Sequence, residues 1–196
     1  MARKFPTHTT LACMLVFAVA LFSAGFHSSA AGAPTQHKDS ANSKIVVPYA
    51  PTPQRLVDRM IEFAAVKKGD VVYDLGSGDG RIVIAAAKAG ARAIGFELDR
   101  QLIKESRANI AKAGLGELAE IREQDLFTVD LSAASVVTMY LFPDVVLKLK
   151  PRLLQQLKPG ARIVIHDNDL GDWKPDHKEW VDGRMFFFWT VPAKPR

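Results

Sequence analysis

Short hydrophobic runs alternate with segments of helical periodicity along most of the chain after residue 70. Short runs rich in Val and Ile are typical of strands, whereas hydrophobic residues at helical spacing indicate amphipathic helices. Strands are predicted at 71–75, 93–97, 120–124, 135–140 and 162–166, with helices at about 81–89, 99–113 and 143–157. Because strands that alternate with crossover helices run parallel, the pattern predicts an α/β fold with a Rossmann-like sheet.

The last segment of the chain predicts an antiparallel hairpin. Runs 177–181 and 184–191 flank Asp182-Gly183, a pair that favours the tight turn joining antiparallel strands. The aromatic run Phe186-Phe187-Phe188-Trp189 predicts a strand buried on both faces, with membrane contact as the alternative. The sheet is therefore expected to be mostly parallel with an antiparallel C-terminal hairpin.

A further helix is predicted before the first strand. Thr52 is expected to cap it and Pro53 to occupy its first position, while Leu56, Met60 and Phe63 form one buried face.

The N-terminus has the composition of a targeting segment. Arg3 and Lys4 precede an apolar run at 11–22, and small residues follow at 28–31. This pattern predicts a secretory signal peptide over 1–31, with an uncleaved membrane anchor as the alternative and an organelle transit peptide ranked last. Residues 32–44 are predicted to be a flexible linker and 45–196 the folded domain. We expect an exported or membrane-associated protein, with the cytoplasmic face as the alternative.

Composition is that of one globular domain. The 196 residues are 48% hydrophobic and 24% charged, with a net charge of +5 that is not concentrated in a basic stripe. A nucleic-acid partner is therefore not expected. The single cysteine, Cys13, lies in the targeting segment, so the folded part has no cysteine for a disulfide, a thiolate nucleophile or a zinc site.

A glycine-rich loop follows the first predicted strand directly. In Asp74-Leu75-Gly76-Ser77-Gly78-Asp79-Gly80 the glycines let the backbone approach a ligand, and the following helix offers unpaired amides. Arg81 stands where the dinucleotide fingerprint requires its third glycine, so that fingerprint is excluded. The alternative is a tight strand-to-helix turn without a ligand.

Two acids end the next strands at the same edge of the sheet. Glu97 lies about 20 residues after the loop, where nucleotide-binding sheets place an acid for ribose hydroxyls. Asp125 follows the third strand and would accept a hydrogen bond from an adenine amino group, or cap the next turn.

Aromatic and polar residues at this edge are candidates for the reacting side. Tyr140 ends the fourth strand, and Tyr49 lies in a stiff segment between Pro48 and Pro51; each tyrosine is a candidate for the reacting centre or a packing residue. The segment 166–169 would contain a general base or a weak metal site, but a polar loop is favoured, and no metal is expected.

The combination of Asp74-x-Gly-x-Gly-x-Gly80, Glu97 and Asp125 resembles motifs I, II and III of class I methyltransferases. More narrowly, Val47-Pro48-Tyr49-Ala50-Pro51-Thr52 with residues 74–83 resembles the small seven-strand protein-lysine methyltransferases of mitochondrial membrane proteins and their bacterial relatives. The resemblance implies a seven-stranded methyltransferase sheet and S-adenosylmethionine as cofactor. It implies that Tyr49 closes over the methyl group or the substrate, and that the cofactor contacts Asp74, Gly76, Ser77, Gly78, Asp79, Gly80, Glu97 and Asp125.

The expected reaction is methyl transfer to a lysine amine of a protein, with membrane association through the N-terminal segment. Methylation of a small molecule on nitrogen or oxygen is the alternative, as is a non-catalytic module that only binds the cofactor. Nucleic-acid amino methyltransferases typically carry the motif Asp/Asn-Pro-Pro-aromatic, where this chain has Tyr140-Leu141-Phe142-Pro143. Methylation of a nucleic-acid amino group is therefore less favoured.

Overall fold

A computed structural model describes residues 51–193. Within that range the chain forms four helices and seven strands: α1 Gln54–Phe63, β1 Val71–Leu75, α2 Arg81–Lys88, β2 Arg92–Glu97, α3 Arg100–Lys112, β3 Ala119–Glu123, β4 Val136–Met139, α4 Pro143–Gln156, β5 Arg162–His166, β6 His177–Val181 and β7 Arg184–Thr190. The predicted targeting segment, the linker and Tyr49 lie outside the described residues and stay predictions.

The seven strands form a single sheet in the order β3-β2-β1-β4-β5-β7-β6. Strands β1 to β5 pair in parallel, whereas β7 lies antiparallel between β5 and β6. The predicted α/β fold and its antiparallel hairpin are therefore confirmed. Asp182 and Gly183 both have positive φ, 51° and 78°, as the tight hairpin turn requires.

Side chains alternate between two hydrophobic layers, one on each face of the sheet. In β1, Val72 packs with α1, α2 and α3, whereas Tyr73 and Leu75 pack on the face that α4 covers. In β7, Phe186 and Trp189 are fully buried in opposite layers, while Phe187 and Phe188 are partly buried. The position of β7 between β5 and β6, with a hydrophobic layer on each face, thus explains the aromatic run.

The predicted cap of α1 is wrong. Pro53 occupies the N-cap position, and the helix begins at Gln54. No side-chain hydrogen bond caps the first turn of the helix. The Thr52 hydroxyl instead lies 3.2 Å from Nδ1 of His166, a residue 114 positions away in the chain. A tertiary contact has therefore replaced the local capping bond.

The remaining bounds agree with the predicted ones to within two residues. β4 ends at Met139, so Tyr140 lies just beyond the sheet and not within it. Among the helices of residues 51–193, none has both the length and the apolar character needed to span a membrane.

Candidate functional site

The glycine loop connects the carboxyl end of β1 to the first turn of α2. Gly76, Gly78 and Gly80 have φ of 77°, 53° and 80°, a region in which a side chain would be strained. The amides of Gly76 and Ser77 both donate to the carbonyl of Phe96 in β2, at 2.9 and 3.1 Å. The loop is thus held against the neighbouring strand by its own backbone.

Glu97 is oriented by three backbone amides at the end of β2. Its Oε2 accepts from Gly78 at 2.9 Å, and its Oε1 accepts from Leu98 and Asp99 at 2.7 and 3.0 Å. The side chain is half-buried. A carboxylate held at the rim of the loop can accept hydrogen bonds from ligand hydroxyls without having to reorganise.

Space around the loop is filled so closely that two glycines are required. A Cβ atom on Gly76 would lie 2.8 Å from Cδ2 of Leu141, and one on Gly95 in β2 would lie 2.5 Å from Oγ of Ser77. Gly95 went unnoticed in the sequence, although an isolated glycine inside a strand indicates a close approach.

Asp74 is a buried carboxyl directly before the loop. It is 2% exposed, and Oδ1 accepts from the Thr138 hydroxyl at 2.8 Å, whereas Oδ2 has no hydrogen-bond partner among the described residues. Burial raises the pKa of Asp74 to about 7; the Thr138 bond opposes this shift, and the charges of Glu97 and Asp79 add to it. The sequence did not reveal Thr138, because the contact joins two strands 64 residues apart.

Asp79 faces the first residue of α2. Its carboxylate accepts from Nε and Nη2 of Arg81 at 2.9 and 2.5 Å, and its carbonyl accepts from Nδ2 of Asn109 at 3.0 Å. The side chain therefore stabilises the loop, and its predicted contact with a cofactor stays a prediction.

Asp125 lies beyond β3 and is exposed. Its Oδ1 accepts from the amide of Phe127 at 2.9 Å, and its carbonyl accepts from the amide of Thr128 at 2.8 Å. The residue thus caps a turn at the predicted edge of the sheet. Contact with an adenine stays a prediction.

Tyr140 packs on His166, next to the glycine loop. The two rings are 4.0 Å apart between centroids and tilted by 30°, and the tyrosine is half-buried. Leu75 pairs with Met139, so Tyr140 follows β4 at the level where Gly76 follows β1. Tyr140 therefore lies at the carboxyl edge, at the level of the loop.

The polar segment after β5 is bonded within the protein. Asp167 accepts from Nη1 of Arg184 at 2.7 Å, Asn168 donates to the carbonyl of Leu141 at 2.8 Å, and Asp169 accepts from the amide of Gly171 at 2.9 Å. No group of three or more potential metal-ligating side chains occurs in residues 51–193. These contacts are those of a polar loop, the interpretation that the sequence favoured.

His166 and the tryptophans of the C-terminal segment have different environments. His166 is 1% exposed, and burial lowers its pKa and thereby favours the neutral imidazole. Trp173 packs beside Trp189 at the base of the hairpin and accepts at its carbonyl from the Trp189 indole at 2.8 Å. Trp180 is 65% exposed and does not fill that base.

Comparison with known proteins shows that this chain is similar to methyltransferases. The ANTKMT methyltransferase domain matches residues 74–177, and a DNA methylase family matches residues 31–108. A protein-lysine N-methyltransferase of Saccharolobus islandicus (strain REY15A) is 48% identical over 142 residues, covering 71% of this chain and 88% of that protein.

Two further relatives differ in their named substrates. The adenine nucleotide translocase lysine N-methyltransferase of Mus musculus is 35% identical over 133 residues, covering 67% of this chain but 58% of the mouse protein. The crystal structure of an RNA methyltransferase from Salinibacter ruber in complex with S-adenosyl-L-homocysteine superimposes with a TM-score of 0.72 at 50% identity. That match covers 75% of this chain and 97% of the other.

Proposed function

We propose that this chain, which belongs to the ANTKMT methyltransferase domain family, methylates a lysine side chain of a protein with S-adenosylmethionine as its methyl donor. The chain is a class I S-adenosylmethionine-dependent methyltransferase, and S-adenosylmethionine is its cofactor. The supporting observation for the acceptor is the half-buried ring of Tyr140, which packs on the buried imidazole of His166 at the carboxyl edge of the sheet.

The residues of the loop fit this cofactor. The left-handed glycines let backbone approach a ligand, Glu97 presents an oriented carboxylate suited to ribose hydroxyls, and Asp74 keeps an unpaired buried oxygen suited to a cationic amine. S-adenosylmethionine, when bound, supplies an electrophilic methyl group carried on a sulfonium. We assign its binding to Asp74, Gly76, Gly78 and Glu97, with Ser77, Asp79, Gly80 and Asp125 around them.

The acceptor side has to align an amine and favour its neutral form. A free lysine has a pKa of about 10.4, so the ammonium must lose a proton before its nitrogen becomes a nucleophile. An amine that packs against the half-buried ring of Tyr140 would lose part of its water shell, which disfavours the charged form of the amine. Alignment at such a surface supplies most of the rate. Tyr49, outside the described residues, is proposed to complete the acceptor side.

RNA is the competing acceptor, because the Salinibacter ruber relative is described as an RNA methyltransferase. The net charge of the described domain does not support RNA as the acceptor. Residues 51–193 contain 20 Lys and Arg and 20 Asp and Glu, so the described domain is neutral, whereas binding to nucleic acid depends on neutralising phosphates. A protein acceptor is therefore favoured over RNA.

The test is incubation with methyl-labelled S-adenosylmethionine and separate protein, RNA and small-molecule fractions. We expect a labelled protein band that resists ribonuclease and contains methyllysine by mass spectrometry. Label confined to RNA or to small molecules would overturn the lysine assignment. Glu97→Ala should abolish labelling, whereas the matched control Glu123→Ala, at the end of the neighbouring strand and paired with exposed Arg100, should not.

We also propose that residues 1–31 direct the domain to a membrane or across it. The supporting observation is the basic start followed by the apolar run at 11–22. Fractionation of native cells, with mass spectrometry of the mature N-terminus, distinguishes a cleaved signal from a retained anchor. An intact N-terminus in the soluble cytoplasmic fraction would overturn both.

A further inference from the structure

Thr52 is held at the carboxyl edge of the sheet by two elements that are far apart in sequence. Nη1 of Arg81 donates to its carbonyl at 2.6 Å, and its hydroxyl lies 3.2 Å from Nδ1 of His166. Thr52 is 4% exposed and does not cap the helix that follows it. We call this pair of contacts the Thr52 bridge.

Arg81, at one end of the Thr52 bridge, also contacts the glycine loop. Arg81 pairs with Asp79 through two nitrogens, and a bidentate pair of this kind fixes the plane of the guanidinium. Both side chains are largely covered, with 29% and 13% exposed. A change in the loop at Asp79 would therefore move the guanidinium that holds Thr52.

The other end of the bridge is the aromatic surface beside the loop. His166 lies between Tyr140, at 4.0 Å, and Phe186, at 5.2 Å between ring centroids. Its Nε2 has no hydrogen-bond partner in the described residues and lies 3.7 Å from Oδ2 of Asp167. The Thr52 hydroxyl and Nδ1 share a hydrogen bond, and the tautomer of the imidazole sets which of them donates.

We infer that Thr52, Arg81 and His166 are positioning residues that couple the cofactor loop to the acceptor surface on Tyr140. The inference rests on the proposed function, since it assigns Tyr140 to the acceptor side. Each of the three residues acts through another. Arg81 contacts the loop at Asp79, Thr52 connects Arg81 to His166, and His166 packs against the ring of Tyr140.

The first test follows the imidazole of His166 by nitrogen NMR in the full chain, with S-adenosyl-L-homocysteine as the probe. Binding of the probe should shift the His166 signal in the wild type and in Thr52→Ser, which keeps the hydroxyl. The shift should be lost in Thr52→Val, which keeps the volume and the carbonyl but removes the hydroxyl. A His166→Gln variant assigns the signal.

The outcomes distinguish a failure of the proposed function from a failure of the coupling through Thr52. Failure of the probe to bind would overturn the proposed function together with the coupling. Binding without a shift in the wild type, or with an equal shift in Thr52→Val, would overturn the coupling alone. Calorimetry on the same samples measures the binding independently.

A kinetic test follows once the acceptor is known. Thr52→Val should raise the KM of the acceptor about fivefold, as expected for one lost hydrogen bond, and leave the affinity for the probe within about twofold. Thr52→Ser should restore the wild-type KM. A merely structural role would lower kcat with the folded fraction and leave KM unchanged, and that result would refute the assignment.

Discussion

Replacing Asp74 with asparagine tests whether the buried carboxyl before the glycine loop lowers the stability of the domain when it is charged. The side chain keeps one bond, to the Thr138 hydroxyl, and its second oxygen has no partner among the described residues. Asparagine has the same shape and no charge, so Thr138 can still donate to its oxygen. The variant therefore removes the cost of burying the charge.

The size and sign of the effect follow from the pKa of Asp74. Burial raises it from 3.8 to about 7, so the folded protein holds this proton over a pH range in which the unfolded chain has lost it. The stabilising contribution is complete below pH 3.8 and is lost as the pH rises to about 7. Linkage gives a loss of about 2–3 kcal/mol between pH 5 and pH 8 from this one group.

Urea denaturation at pH 5 and pH 8, without added cofactor, measures the effect. The free energy of unfolding of Asp74→Asn minus that of the wild type should increase by about 2–3 kcal/mol across this range. Asp125→Asn, which removes an exposed carboxylate at the same edge, controls for the loss of negative charge there. A difference for Asp74→Asn that stays constant within about 0.5 kcal/mol would refute the reasoning.

Three further substitutions test the loop and the acceptor side. Gly95→Ala places a Cβ atom 2.5 Å from Oγ of Ser77 and 2.7 Å from Cδ1 of Ile121, so it should destabilise the domain by about 1–3 kcal/mol; an unchanged melting temperature would contradict this packing. Glu97→Gln removes the charge from an oriented acceptor and should weaken binding of S-adenosyl-L-homocysteine about 10- to 100-fold by calorimetry, and an affinity within twofold of the wild type would exclude the ribose role. Tyr140→Ala should lower kcat at least about tenfold with the cofactor affinity unchanged, whereas parallel losses of both would place Tyr140 in the cofactor site.

Local signals explain why most of the fold could be predicted. β1 is a compact apolar run that leads directly into the glycines, and the Asp182-Gly183 pair specifies its turn through two positive φ angles. Glu97 was found from its distance along the chain after the loop, and it does contact the loop amide of Gly78. In each case the relevant information lies within a few residues or at a fixed spacing.

The missed features depend on contacts between distant segments. Thr52 has the sequence of a helix cap, yet its hydroxyl bonds to His166 in β5. Thr138 and Gly95 lie inside strands whose pattern indicates burial, but their partners Asp74 and Ser77 follow from strand order and register. Hydrophobic periodicity specifies which face of a strand is buried. It carries no information on which polar group a residue of that face will contact.

The strand order also explains why the site lies where Gly76 meets Leu141. From β1 the chain winds outward to β2 and β3, then returns to β4 on the other side and continues to β5. The connections after β1 and β4 therefore leave in opposite directions and open a crevice at the carboxyl edge. In the proposed assignment, the acidic groups at 74, 79 and 97 lie on the cofactor side of this edge, and Tyr140, which packs on His166, lies on the acceptor side. Acidic groups favour a cationic methyl donor and a half-buried aromatic ring favours a neutral amine, so the two requirements of the proposed transfer fall on separate sides of the edge.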